Sequence, residues 1–259
     1  MPAPAVDPAL LHEAVALARA AGELTMQWFR RADLVVDDKV DGTPVTAADR
    51  AAERFLREGI ATRYPHDAIV GEEEGAADGT SGRRWIIDPI DGTKAFTRGV
   101  PSFSNLLAID DEHGPAAGVI NLPALGETVY AGRGLGCFFN GAPAHVSDRG
   151  PEDAYLTASS FNDWPDETLL AVNRSPIRLR TWGDGWGYAL VATGRVEAMV
   201  DLVAHEWDLA PMLVIVPEAG GRFTDVAGMA SATTGSGVAT NGHIHDDVLA
   251  LLATTTRPA

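Results

Sequence analysis

Cysteine is almost absent from the sequence, and long apolar runs are missing. The single cysteine, Cys137, cannot form an internal disulfide or build a thiolate zinc cluster, so a reducing compartment is favoured. No apolar run approaches the roughly 18 residues that a membrane-spanning helix needs. Residues 1–7 lack the basic and apolar parts of a secretory leader. We therefore expect a soluble, cytoplasmic protein without a membrane partner.

Basic residues are scarce relative to acidic ones. The chain has 20 lysines and arginines against 36 aspartates and glutamates, which gives a formal net charge of −16. Such a surface repels nucleic acids and anionic membranes, so neither is an expected partner. An acidic protein that binds an anionic ligand needs bound cations to reverse the field at its site.

Apolar periodicity predicts two helices near the start of the chain. The first begins at Asp7, a good N-cap before a proline, and its apolar stripe continues to Trp28. The second begins at Thr46, where Asp49 can complete a capping box, and ends near Tyr64. Short apolar runs then predict strands at 68–70, 85–88, 105–109, 118–121, 128–131 and 137–139, and further strands near Leu156, Leu179 and Met199. Helices are predicted at 167–172, 186–193 and 209–219, the last ending at Gly220.

Carboxylates stand at the ends of predicted strands and the starts of predicted helices. They occur in four separate places: Asp49, Glu72 with Glu73, Asp88 with Asp91, and Asp208. Magnesium prefers oxygen ligands, and two or three ions held close together need several shared carboxylates. If these residues converge at one sheet edge, the sequence predicts a magnesium site there.

One short segment, residues 85–93, combines candidate metal and anion ligands. The strand delivers Asp88 at its end, and the proline turn brings Asp91 alongside and frees the Ile90 carbonyl to point inward. Gly92 permits close backbone approach, and the amides of Gly92 and Thr93 at a helix start can meet a phosphate. The alternative is that these aspartates, like Asp49 and Thr93, only cap helices.

The chain shows no fixed-period repeat and no low-complexity linker. The stretch at 148–152 is the expected seam between two halves that share one site. We expect an α+β half over 1–148 that carries most of the candidate metal ligands. An α/β half over 149–259 would then close the active site.

Four blocks in this order resemble the signature of the inositol monophosphatase family of metal-dependent phosphatases, over almost the whole chain. The blocks are Pro44-Val45-Thr46-x-x-Asp49, Gly71-Glu72-Glu73, Asp88-Pro89-Ile90-Asp91-Gly92-Thr93 and Trp207-Asp208-x-Ala210. The resemblance implies an α/β fold with alternating layers of helices and two sheets, a homodimer, and a phosphate monoester as substrate.

The same resemblance implies roles for individual residues around two to three magnesium ions. One ion would be bound by Glu72, Asp88 and the Ile90 carbonyl. A second would be bound by Asp88, Asp91 and Asp208, and Glu72 would help with a third. Asp49 and Thr93 would position the attacking water.

The substrate is suggested by the segment 91–101. Lys94 after the threonine and the later Gly99-x-Pro101 resemble the histidinol-phosphate phosphatase branch of the family. Inositol-directed members usually carry threonine and asparagine at the positions of Lys94 and Ala95, and phosphoadenosine-directed members tend to have glutamate at Ala95. L-Histidinol phosphate is therefore the expected substrate. The alternatives are an inositol-1-monophosphatase, a 3'-phosphoadenosine 5'-phosphate phosphatase and a metal-binding regulator without turnover.

Two further carboxylates suit a cationic substrate. Asp184 lies in a segment that resembles the family's substrate-recognition loop, and Asp184 with Asp201 would favour the ammonium and imidazole of histidinol phosphate over uncharged inositol. The alternative is that Asp184 caps the following helix and that nearby aromatic residues belong to the core. His205 and Glu206 could face the site, although a lone histidine is more often a surface residue. The aromatic residues that could flank the substrate are Trp182, Trp186 and Tyr188.

Overall fold

A computed structural model of the chain describes residues 3–39 and 42–253. The helices are α1 Pro8–Thr25, α2 Ala47–Arg63, α3 Thr93–Thr97, α4 Asp166–Arg174, α5 Asp184–Ala192, α6 Glu206–Leu209, α7 Met212–Glu218 and α8 His245–Leu252. The first strands are β1 Val36–Asp38, β2 Pro44–Thr46, β3 Ala68–Gly71, β4 Gly75–Ala77, β5 Arg84–Asp91, β6 Ser104–Asp111, β7 Gly114–Leu122 and β8 Glu127–Gly132. The remaining strands are β9 Gly136–Phe139, β10 Ala142–Pro143, β11 Tyr155–Thr157, β12 Arg178–Arg180, β13 Ala198–Asp201, β14 Arg222–Thr224 and β15 Gly237–Thr240.

Both N-terminal helices begin where their capping residues predict. Asp7 accepts a hydrogen bond from Ala9 N at 2.9 Å, and Thr46 with Asp49 forms a complete capping box at the start of α2. The α1 helix ends at Thr25, so the helix predicted to continue to Trp28 is three residues shorter than expected. Trp28 lies beyond the helix and packs beside the small cluster around Phe96.

Eight strands form the first sheet, in the order β10-β9-β8-β7-β6-β5-β3-β4. Most neighbours are antiparallel, but β3 and β5 run parallel, with Gly71 paired to Ile87. Because parallel strands end at the same edge of a sheet, the residues that follow this pair, Glu72 and Asp88, are brought side by side. Buried residues of α1 and α2 pack with side chains of this sheet in one hydrophobic cluster.

A bulge in β5 sets the direction of the two aspartates on that strand. Asp88 pairs with Leu106 and Asp91 with Ser104, so three steps along β5 match two steps along β6. Residues three apart on a regular strand point to opposite faces, and the extra residue of a bulge removes that alternation. Asp88 and Asp91 can therefore both face the same site.

The second sheet has five strands in the order β12-β11-β13-β15-β14. Helices α5 and α7 pack against both sheets. Tyr188 of α5 and Ile215 of α7 belong to one buried cluster, which also contains Ile86 and Leu106 of the first sheet and Met199 of the second. The predicted strands near Leu156, Leu179 and Met199 are all present. The two sheets separate on either side of residues 148–152, and the division into two halves stays a prediction.

The single helix predicted at 209–219 is wrong. The chain forms the short α6 and then α7, with Pro211 between them, because a proline inside a helix removes a backbone donor and clashes with the preceding turn. The predicted end is confirmed: Gly220 has a φ of 88°, and Gly221 N donates to Val216 O at 2.9 Å. No helix of the described ranges is long and apolar enough to cross a membrane.

Candidate active site

Three aspartates from distant parts of the chain meet at one point. Asp88, Asp91 and Asp208 each offer a carboxylate oxygen, and these oxygens all lie within 4.8 Å of one another. A backbone amide fixes each carboxylate: Ile90 N donates to Asp88 Oδ1 at 3.0 Å, Gly185 N to Asp91 Oδ2 at 2.6 Å, and His205 N to Asp208 Oδ2 at 2.7 Å. The carboxylates are thus held by strand β5 and helix α6 and oriented before any ligand arrives.

The electrostatics of this cluster favour a bound cation. Burial, and then repulsion by neighbouring carboxylates, raises the pKa of Asp88 and of Asp91 well above the usual range. The pKa of Asp208 is raised to about 6, mainly by burial. Across residues 3–39 and 42–253, no lysine or arginine forms an ion pair with any of the three. Oxygen donors without a compensating charge fit a hard divalent metal ion.

The turn that carries Glu72 and Glu73 lies beside this cluster. Glu72 follows β3 and raises the pKa of Asp88 by repulsion, and Lys39 Nζ lies 2.6 Å from Glu72 Oε1 and 2.7 Å from Glu73 Oε1. Burial raises the pKa of Glu73 to about 7. The turn is anchored by the fully buried Glu53, whose carboxylate accepts from Glu73 N at 2.7 Å and Glu74 N at 2.9 Å. The sequence carried no signal for Glu53, because an acid inside a helix is ordinarily exposed.

Asp49 combines the two roles that the sequence left as alternatives. Its Oδ2 accepts from Thr46 N at 2.8 Å and from the Thr46 hydroxyl at 2.6 Å, which completes the helix cap. Its Oδ1 accepts from the Thr93 hydroxyl at 3.3 Å, and that hydroxyl lies 2.9 Å from the Ile90 carbonyl oxygen. Asp49 is fully buried, and burial raises its pKa. The cap therefore holds a carboxylate directly against Thr93.

The start of α3 is shaped by Gly92. Its φ of 79° lies in the left-handed region, and a Cβ at this position would lie 3.0 Å from Asp184 Oδ2. Only glycine combines that backbone with that close approach. Gly92 thus lets the Asp184 side chain lie beside the first amides of α3.

Asp184 is not the helix cap that one interpretation of the sequence proposed. Gly183 is the N-cap of α5, and Asp184 is its first residue, with a φ of 55°. Asp184 N donates to the Ser159 hydroxyl at 2.7 Å, which stabilises this unusual backbone. Burial, and then repulsion by Asp201, raises the pKa of Asp184 to about 6.

Asp201 ends strand β13 and lies close to Asp184. Its carboxylate accepts from Ser159 N at 3.2 Å and from the Tyr188 hydroxyl at 3.0 Å. Of the three predicted aromatic residues, Tyr188 lines the same cavity, whereas Trp182 and Trp186 pack against the hydrophobic core.

One cavity of about 460 Å³ brings the candidate ligands together, and its lining includes Glu72, Asp88, Ile90, Asp91, Gly92, Thr93, Asp184, Asp201 and Asp208. Asp49 and Glu73 lie outside that lining. Its described lining includes two lysines and no arginine. Glu206 turns away from it and pairs with Arg84 at 2.8 Å. The cavity lining includes His205, which the sequence offered as a residue that could face the site. Four further lining residues were not singled out from the sequence: Lys39, Ser159, Ser160 and Asp163.

Comparisons with known proteins agree with this geometry. The family model for the inositol monophosphatase family matches residues 8–257. A protein of Chlorobaculum parvum named histidinol-phosphatase is 42% identical, over 88% of this chain and 90% of the relative. One of Mycobacterium tuberculosis with the same name is also 42% identical, over 92% and 96%.

The fold is confirmed by a solved structure. The extragenic suppressor protein suhB from Bartonella henselae superimposes with a TM-score of 0.88 at 29% identity, over 95% of this chain and 99% of that one. Both the family match and the named relatives are phosphatases. The chain therefore belongs to the inositol monophosphatase family and is a phosphoric monoester hydrolase.

Proposed function

We propose that the protein is a magnesium-dependent phosphatase that hydrolyses L-histidinol phosphate to L-histidinol and phosphate, a step of histidine biosynthesis. The observation that carries the proposal is the pair of carboxylates Asp184, which is half-buried, and Asp201, which is buried, both in the lining of the cavity. Lys94 lowers the pKa of Asp184 by attraction, but among the described residues no lysine or arginine forms an ion pair with Asp184 or Asp201. A substrate with an ammonium group and an imidazole would supply a paired positive charge, whereas inositol phosphate would not. The names of the two relatives support the same substrate.

The metal ligands in this proposal are Glu72, Asp88, Asp91, Asp208 and the Ile90 carbonyl, which together hold two to three magnesium ions. Burial, and then repulsion between carboxylates, raises the pKa of Asp88 and of Asp91, and a bound cation would offset both effects. Magnesium bound at these residues would lower the pKa of water and would stabilise the negative charge on the leaving alkoxide.

The chain's own residues bind and orient the reactants. The backbone amides of Gly92 and Thr93 meet the phosphoryl oxygens, and Asp91 lies next to them. Asp49 accepts from the Thr93 hydroxyl, so the Thr93 oxygen keeps its lone pairs directed at the attacking water. The single proton that the water loses would pass to one carboxylate, either to Asp49 through the Thr93 hydroxyl or to Glu72. Asp184 and Asp201 orient the amino alcohol, so that its oxygen leaves as the phosphoryl group transfers to water.

The proposal includes a homodimer and a cytoplasmic location. The homodimer rests on the resemblance to the family, and sedimentation of the purified protein at several concentrations tests it. The location rests on the single cysteine, which is buried and free.

A substrate panel tests the proposed function. Phosphate release is measured at one magnesium concentration for L-histidinol phosphate, inositol 1-phosphate and 3'-phosphoadenosine 5'-phosphate. We expect kcat/KM for L-histidinol phosphate to exceed the other two by about tenfold or more, the discrimination that a lost charge contact gives. A higher value for inositol 1-phosphate would contradict the substrate assignment. No release from any of the three would favour a metal-binding regulator.

A further inference from the structure

Two rings stack on the wall of the catalytic cavity. The rings of His205 and Trp207 have centroids 4.8 Å apart and planes 20° apart, and both residues line the cavity. Trp207 is partly buried and packs against the hydrophobic core, whereas His205 is exposed. Because Trp207 covers one face of the His205 ring, the opposite face is the one that His205 offers to the cavity.

The backbone holds this pair in a fixed place. Ala204 N donates to Gly235 O at 3.0 Å, and His205 N donates to Asp208 Oδ2 at 2.7 Å. The second bond ties the backbone of His205 to the aspartate cluster. A flat surface that is rigid before a ligand binds loses little entropy on binding.

We propose that His205, backed by Trp207, is the platform on which the imidazole ring of the substrate stacks. This inference rests on the proposed function and assigns recognition of the ring to residues other than Asp184 and Asp201, which would bind the ammonium group. Offset stacking of flat rings contributes about 0.5–1.5 kcal/mol beyond buried area. Asp208 stands three positions after His205, so a phosphate held at the cluster places the rest of a small ester within reach of the platform.

Two variants and two substrates test the platform. L-Alaninol phosphate keeps the amino alcohol and the phosphate of L-histidinol phosphate but replaces the imidazolylmethyl group with a methyl group. In His205→Ala, we expect kcat/KM for L-histidinol phosphate to fall about two- to twelvefold more than kcat/KM for L-alaninol phosphate, the factor that the stacking energy corresponds to. In His205→Phe, which keeps a flat ring, that difference should disappear. Equal losses on both substrates in His205→Ala, or no recovery in His205→Phe, would overturn the platform.

A binding measurement separates failure of the platform from failure of the proposed function. Calorimetry with L-histidinol and L-alaninol needs no turnover and compares the same ring with the same methyl group. Tighter binding of L-histidinol to the wild type, reduced in His205→Ala, supports the platform even if the substrate panel favours another ester. Equal affinity of the wild type for the two amino alcohols overturns the platform while the panel decides the function independently. Thermal unfolding of both variants confirms that they are folded.

Discussion

The Thr93 hydroxyl lies 3.3 Å from Asp49 Oδ1, although the two residues are 44 positions apart in the chain. Asp49 reaches this place because the cap of α2 uses its other carboxylate oxygen. The Thr93 side chain is held from a second side by the Ile90 carbonyl at 2.9 Å. The capping box of α2 thus places the buried carboxylate of Asp49 against the hydroxyl of Thr93, which lines the same cavity as the aspartate cluster.

Thr93→Val keeps the shape of the side chain and removes its hydroxyl. We expect kcat to fall about a hundredfold or more, the loss typical of removing a group that positions a proton transfer. Thr93→Ser keeps the hydroxyl and should retain most of the activity. Steady-state kinetics on L-histidinol phosphate gives the comparison, and near-normal kcat in Thr93→Val would show that the hydroxyl serves only the start of α3.

Asp184→Asn removes one charge and keeps the size of the side chain. We expect kcat/KM for L-histidinol phosphate to fall about tenfold more than kcat/KM for inositol 1-phosphate, because only the first substrate carries an ammonium group. Asp166→Asn, on the exposed start of α4, is a matched control that changes the same charge outside the cavity. Equal losses on both substrates in Asp184→Asn would refute the charge argument.

Local signals in the sequence were sufficient to predict most of the helices and strands that position the site. The caps at Asp7 and Thr46 depend on neighbours within a few residues, and both helices begin there. The acidic residues at strand ends converge because β3 and β5 run parallel, and the three aspartates Asp88, Asp91 and Asp208 do meet. The roles of these residues in binding metal and substrate stay predictions.

Features that depend on contacts between distant parts of the chain could not be predicted from the sequence. Glu53 anchors the turn at Glu73 across 20 residues, and nothing in the helical pattern distinguishes it from an exposed acid. The strands β14 and β15 and the helix α8 were not predicted, since their short apolar runs have no strong start signal. The stacking of His205 on Trp207 was likewise not predicted, because it depends on how the two rings pack.

A buried histidine outside the site predicts how stability changes with pH. His245 is fully buried between the Thr224 hydroxyl at 3.0 Å and the Thr240 hydroxyl at 2.9 Å, and burial lowers its pKa to about 4. In the unfolded chain a histidine has a pKa of about 6.5, so the unfolded state takes up the proton first as the pH falls. Native stability is therefore lost between about pH 6.5 and pH 4.

The His245→Gln variant isolates this effect from the other titrating groups. Between pH 7.5 and pH 5, the free energy of unfolding of the wild type should fall by about 2 kcal/mol more than that of the variant. Urea unfolding at the two pH values, with a chelator present throughout, measures both differences. Parallel pH dependences in the two proteins would mean that His245 is protonated equally in the folded and unfolded states.

Asp88→Asn should abolish turnover without unfolding the protein. Asparagine has the shape of aspartate but lacks the charge that two proposed metal positions share. Loss of the charge also ends the burial of a carboxylate that Glu72, Asp91 and Asp208 repel, so the metal-free variant should be at least as stable as the metal-free wild type. Phosphate release tests the loss of turnover, and thermal unfolding tests the stability of the variant. A variant that keeps normal turnover would remove Asp88 from the mechanism.

The most direct test of the aspartate cluster is a calorimetric titration of magnesium into protein stripped of divalent ions at pH 7.5. The wild type should show saturable binding of at least one ion per chain, and Asp88→Asn should show little or none under the same conditions. Equal magnesium binding by the two proteins would contradict the proposal that Asp88, Asp91 and Asp208 together hold the metal.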